Sequence, residues 1–126
     1  METDLQVLET WRKALVASVR NEDAPDLTAR QLSLMLSVYL IEKPHTVRGL
    51  AADLNISKPA ISRALDRLGE LGFVRRKRDD SDKRSVLVQR TVKGSVYLAD
   101  FADLVRGQIP ADRSKFIEAD KETVAA

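Results

Sequence analysis

Between Thr46 and Arg75 the chain reads TVRGLAADLNISKPAISRALDRLGELGFVR, and this stretch constrains the fold more than any other. It holds two apolar patterns of helical spacing separated only by Asn55, Ile56 and Ser57. Thr46 caps a predicted helix over Val47 to Leu54, because a hydroxyl oxygen satisfies an amide that the first turn leaves unpaired. Asn55 tolerates the left-handed conformation of a tight reversal. Ser57 caps a second predicted helix, about Lys58 to Leu71. Pro59 falls in its first turn, where a missing N–H costs nothing. The Ser57 hydroxyl must therefore take the Ala60 amide. Gly72 ends the helix. Small Ala51 lets the two helices cross closely, and Leu50, Leu54, Ile56, Ile61, Leu65 and Leu68 supply their shared core. Two helices joined this tightly form a helix-turn-helix frame.

The flanking segments complete an order ααααββα. A first helix is predicted from about Leu5 to Arg20, capped by Thr3 or Asp4, with Leu5, Leu8, Trp11, Leu15 and Val19 on one stripe. Asn21 to Leu27 contains Pro25 and reads as a loop. Thr28 and Gln31 make a capping box that opens a helix running to about Ile41. That helix is apolar nearly all round, so it belongs in the middle of the domain. Glu42 to Pro44 breaks it, and His45 reads as an exposed loop residue. Phe73 to Lys77 and Val86 to Arg90 read as two strands around a polar, basic tip. Thr91 caps a last long helix to about Ile109, and residues 112–126 hold at most one more short helix. The fold class expected is mainly α, a winged helix-turn-helix with a two-stranded β wing and terminal dimerisation helices.

Charge distribution says what this frame meets. Residues 57–90 hold ten Lys/Arg against five Asp/Glu, net +5, whereas residues 1–56 are net −2 and 91–126 net −1. A basic segment in a nearly neutral chain is the footprint of a polyanion. On the second helix Ile61, Leu65 and Leu68 lie inward. Ser57, Lys58, Pro59, Ser62, Arg63 and Arg67 lie outward, with Asp66 and Glu70 further along. Arginine pairs bidentately with guanine and serine bonds bases or phosphates, so these residues, with Thr46 at the neighbouring helix start, are candidate contacts to double-stranded DNA. On the hairpin, Arg76, Lys83 and Arg84 join them, since a basic wing reaches the minor groove. Asp82, two residues from Arg84, is placed to hold that guanidinium. Arg75, Arg76, Lys77 and Arg78 cannot all touch DNA, because a strand sends alternate side chains to opposite faces.

From Ser57 to Arg76 (SKPAISRALDRLGELGFVRR) and from Asp79 to Gly94 (DDSDKRSVLVQRTVKG) the chain resembles the recognition helix and wing of the MarR family of bacterial transcription regulators. The likeness covers roughly residues 28–109. The family's Asp-Arg-Arg wing signature stands here as Asp82-Lys83-Arg84, which implies that Arg84 is the minor-groove residue. The resemblance implies one domain over 1–126, with a DNA-binding core at 28–90 and dimerisation helices in 1–27 and 91–126. It also implies a homodimer on a pseudo-palindromic operator, repression relieved by a small organic ligand, and a ligand cleft to which Trp11, Met35 and Tyr39 are candidates. For each of those three taken singly, packing is the simpler reading. The C-terminus departs from the family pattern, because Gly107 and Pro110 interrupt where a further long helix usually completes the dimer.

Composition removes several other classes. There is no cysteine and His45 is the only histidine, so thiol sensing and multi-histidine metal sites have no ligands to use. No nucleophile–base pair, glycine-rich phosphate loop or metal spacing argues for an enzyme or a cofactor. No apolar run approaches a membrane span, and the acidic start METDLQVLETW lacks a signal pattern, so a cytoplasmic protein is expected. The competing reading is a winged helix that binds protein and not DNA. It predicts an apolar outer face on the second helix, where Ser, Lys and Arg stand.

Overall fold

The computed structural model describes residues 3–109. They form α1 (Asp4–Arg20), α2 (Ala29–Leu40), β1 (His45–Thr46), α3 (Val47–Leu54), α4 (Lys58–Glu70), β2 (Val74–Arg78), β3 (Val86–Arg90) and α5 (Val92–Arg106). The protein is mainly helical with a small antiparallel sheet, a winged helix. Helix and strand ends fall within three residues of those expected. The expected short helix over 112–126 lies outside the described residues.

Two compact units divide the chain. One is Asp23–Phe101; the other has residues 3–22 and 102–109 as its described part. In the second, α1 starts with a capping box: the Thr3 hydroxyl accepts from the Gln6 amide and the Gln6 side chain accepts from the Thr3 amide. Ala14 is its one buried residue. The apolar stripe Leu5, Leu8, Trp11, Leu15 and Val19 is exposed throughout, from 42% at Leu15 to 79% at Leu5.

Inside Asp23–Phe101 the core is built where the periodicity put it. Leu34, Met35 and Val38 of α2, Leu50 of α3, and Ile61, Leu65 and Leu68 of α4 are essentially sealed from solvent. Phe73, Val74 and Val88 close the cluster from the sheet side, with Leu54 and Ile56 at its edge. Full burial of one such side chain contributes about 1.5–3 kcal/mol. Thr28 and Gln31 form the expected box at α2.

Asn55 adopts φ 52°, ψ 46°. The Ile56 amide then reaches the Ala51 carbonyl (3.0 Å) and the Asn55 amide that of Ala52 (3.2 Å). Gly72, at φ 77°, ends α4 in the same way: Phe73 N bonds Leu68 O (2.9 Å) and Gly72 N bonds Gly69 O (3.0 Å). Both reversals are Schellman motifs, which satisfy the last carbonyls of a helix through a left-handed residue.

The sheet has three strands in the order β1-β3-β2, all neighbours antiparallel. The wing hairpin β2–β3 is the one expected, in register Val74↔Arg90 to Arg78↔Val86. The third strand is new. His45 and Thr46 pair with Val88 and Leu87, and this corrects the placing of His45 in an exposed loop. The residue is 5% exposed because the pairing sets it beneath the domain surface. Its Nε2 lies 2.9 Å from the Ile41 carbonyl oxygen and donates to it.

Candidate nucleic-acid interface

Local capping fixes the start of the interface. The Ser57 hydroxyl accepts from the Ala60 amide (3.3 Å), skipping Pro59 as required. The Thr46 hydroxyl accepts from Gly49 (2.9 Å). Each oxygen is thereby fixed in place, and its O–H remains a donor toward an anion. Lys58, Pro59, Arg63 and Arg67 are exposed along α4 and Ser62 is half-buried.

Thr46, Arg48, Lys58, Arg84 and Ser85 line one small cleft with Val47 and Val86. The start of α3, the start of α4 and the foot of the wing therefore converge. Three of the expected residues, separated by as much as 38 positions in sequence (46 to 84), meet there. Arg48 was not singled out from the sequence. Its signal was its place two residues past the Thr46 cap, in the first turn of α3, but it sits in a stretch of net negative charge.

The wing loop is held by its aspartates. Asp79 accepts from the Ser81 amide (3.0 Å) and hydroxyl (2.7 Å), and these bonds lower its pKa below the ordinary carboxylate value. Asp82 accepts from the Arg84 backbone amide (3.1 Å) and the Ser85 hydroxyl (3.2 Å). This corrects the expectation that Asp82 holds the Arg84 guanidinium. A carboxylate two residues back reaches the amide of its own turn more readily than a long side chain leading away. The Lys83 and Arg84 side chains, both exposed, have no ion pair among the described residues.

Two of the expected contacts are already engaged. Arg67 lies 3.9 Å from Glu70. Arg76 on β2 donates through Nη2 to the Asp66 carboxylate of α4. Arg75, on the opposite face of the strand, reaches Gln89 (3.5 Å).

The candidate ligand residues divide between the units. Trp11 is half exposed on α1, in the unit that holds residues 3–22. Met35 has no exposed surface and lies within the core of the other. Tyr39 packs at the edge of that core, and its hydroxyl donates to Phe73 O (2.6 Å) and accepts from Thr91 N (2.9 Å). Met35 and Tyr39 thus carry packing and hydrogen-bonding work in the fold.

Residues 27–86 match the MarR family. The fold is shared with reduced AbfR bound to DNA (21% identity, TM-score 0.65, 96% of this chain and 85% of that one). It is shared also with a MarR mutant from E. coli (23%, 0.60, 100% and 98%). The regulator BldR from Sulfolobus solfataricus is a third example (24%, 0.60, 99% and 99%). No curated protein sequence matches the chain. Among the described residues no helix is long and apolar enough to cross a membrane.

Proposed function

We propose that this protein, whose residues 27–86 match the MarR family, is a cytoplasmic repressor of that family which seats a homodimer on a pseudo-palindromic DNA operator. The observation that carries the reading is the convergence of Thr46, Arg48, Lys58 and Arg84 on one cleft. In it a helix N-terminus, a long cation beside it and a wing arginine are set together as one anion-binding edge. Ser62, Arg63 and Arg67 continue that edge along α4, the helix that would enter the major groove. The likeness to a DNA-bound regulator, AbfR, agrees. The outer face of α4 carries no exposed large apolar side chain, which weighs against a protein-binding role.

Dimerisation is supported by α1. Five large apolar side chains stand exposed on one helix stripe, and such patches mark contact surfaces. Relief of repression by a small organic molecule completes the reading. Disulfide formation, as in disulfide-formed AbfR, has no thiol to act on in a chain without cysteine. An effector would act by favouring one separation of the two recognition helices over another.

Selection of bound sites from random duplex DNA, followed by affinity for the selected site across a salt series, tests this. The expected result is a two-fold motif with half-sites about 10–10.5 bp apart and affinity falling steeply with salt. A flat salt response ends the DNA reading.

A further inference from the structure

Asp66 is an acidic residue in the middle of a basic face. At about 100° per residue it lies within about 20° of Pro59 and between Ser62 and Arg63 around the helix. A carboxylate there opposes any polyanion unless something neutralises it. The structure supplies the cation from a different element: Arg76, on β2, gives one guanidinium nitrogen to the Asp66 carboxylate. In the antiparallel register Arg76 stands opposite Val88, a buried position. Its side chain therefore leaves the strand on the face that packs toward α4. The remaining Arg76 donors, on Nε and Nη1, have no protein partner among the described residues. Arg76 and Asp66 stay 37% and 59% exposed.

We propose that Asp66 is a positioning residue of the DNA-binding face. It holds the Arg76 guanidinium beside α4 so that the free N–H donors meet a backbone phosphate. A planar guanidinium has five donors in a fixed fork, so one edge can rest on a carboxylate while another takes a phosphate oxygen. The carboxylate neutralised in this way no longer repels the duplex. The pair also ties the wing to the recognition helix, so the major-groove and minor-groove contacts keep one relative register. This inference rests on the DNA-binding reading.

Asp66→Asn and Asp66→Ala test it together, because both remove the same charge but only asparagine keeps an acceptor for Arg76. Affinities are measured for the selected operator and for a random duplex, with thermal melts on each variant. Both variants should bind random duplex more tightly than the wild type, because the Arg76 charge is then no longer offset by a carboxylate. On the operator Asp66→Ala should bind about tenfold more weakly than Asp66→Asn. Arg76→Lys, which keeps the charge but loses the fork, should show the same operator defect as Asp66→Ala. Equal operator affinity for Asp66→Asn and Asp66→Ala overturns the positioning role and leaves Asp66 as a repulsive charge only. Wild-type protein that binds neither duplex overturns the DNA-binding reading itself, and this inference with it. Melts that differ between the two variants by more than the operator affinities do would assign the effect to stability and overturn the proposal as well.

Discussion

The Tyr39 hydroxyl occupies the space that a β-carbon on Gly94 would need. From there it bonds Phe73 O and Thr91 N, so one side chain of α2 ties the entry of β2 to the entry of α5. The Thr91 hydroxyl completes the joint by accepting from Gly94 N (2.9 Å) and donating to Gly72 O (2.7 Å). Gly94→Ala should therefore destabilise the protein by about 1–3 kcal/mol, the usual cost of overpacking. Tyr39→Phe should cost a similar amount, since it strands a buried donor and acceptor. Combined, the two should cost less than their sum, because removing the hydroxyl relieves part of the clash. Urea unfolding of the three variants measures the coupling.

The recognition helix and the wing should be separable. Arg63 lies on the outer face of α4 and is exposed. Arg63→Ala is expected to cost about 1–3 kcal/mol per half-site and to relax discrimination at one or two base positions. Arg84, at the foot of the wing, faces a groove with a degenerate pattern. Arg84→Ala should weaken binding more evenly across sequences, with a change only in A·T preference at the flanks. A panel of single-base operator variants distinguishes the two patterns. Uniform loss from Arg63→Ala would make that residue a phosphate contact.

The exposed stripe of α1 should be the dimer surface. Trp11, half exposed, is its largest member, and buried aromatic anchors dominate interfaces. Trp11→Ala should weaken dimerisation at least about tenfold, roughly 1.4 kcal/mol, with little change in the melting of the Asp23–Phe101 unit. Sedimentation equilibrium reads the first and near-saturating urea titrations the second. A wild-type protein that is monomeric at micromolar concentration contradicts the dimer.

Tyr97 gives the fold an alkaline limit. Burial against Phe73 (ring centroids 4.5 Å apart) and, to a smaller degree, the Asp26 charge raise its phenol pKa. The unfolded phenol ionises near about pH 10. The folded pKa is the higher one, so the stabilising contribution is whole below about pH 10 and is lost as pH rises through the folded value. Tyr97→Phe should remove this dependence. The check is the difference in urea midpoint between wild type and variant from about pH 9 to 11, where a constant difference would refute the assignment.

Much of the fold was legible because its signals are local. The Thr3, Thr28, Thr46, Ser57 and Thr91 caps and the left-handed Asn55 and Gly72 all depend on residues within a few positions of one another. The core positions of α4 follow from a single period. The candidate interface was legible to the same extent. Ser57, Lys58, Ser62 and Arg63 share one helix, and the basic hairpin follows directly.

Tertiary structure decided the rest. Two residues, His45 and Thr46, carry no period that marks a strand, and only the presence of β3 beside them makes one. Asp66 and Arg76 are 10 residues apart and Tyr39 and Thr91 are 52 apart. Their pairings exist because the hairpin folds back along α4 and α5 starts against α2. Arg48 joined the cleft for the same reason. Capping, turn conformation and apolar period are energies of neighbouring residues, and so the sequence alone determined the helices, the wing hairpin and the inward face of α4. Which exposed charge is neutralised, and which polar group is buried, depends on the distance between elements that sequence order does not encode.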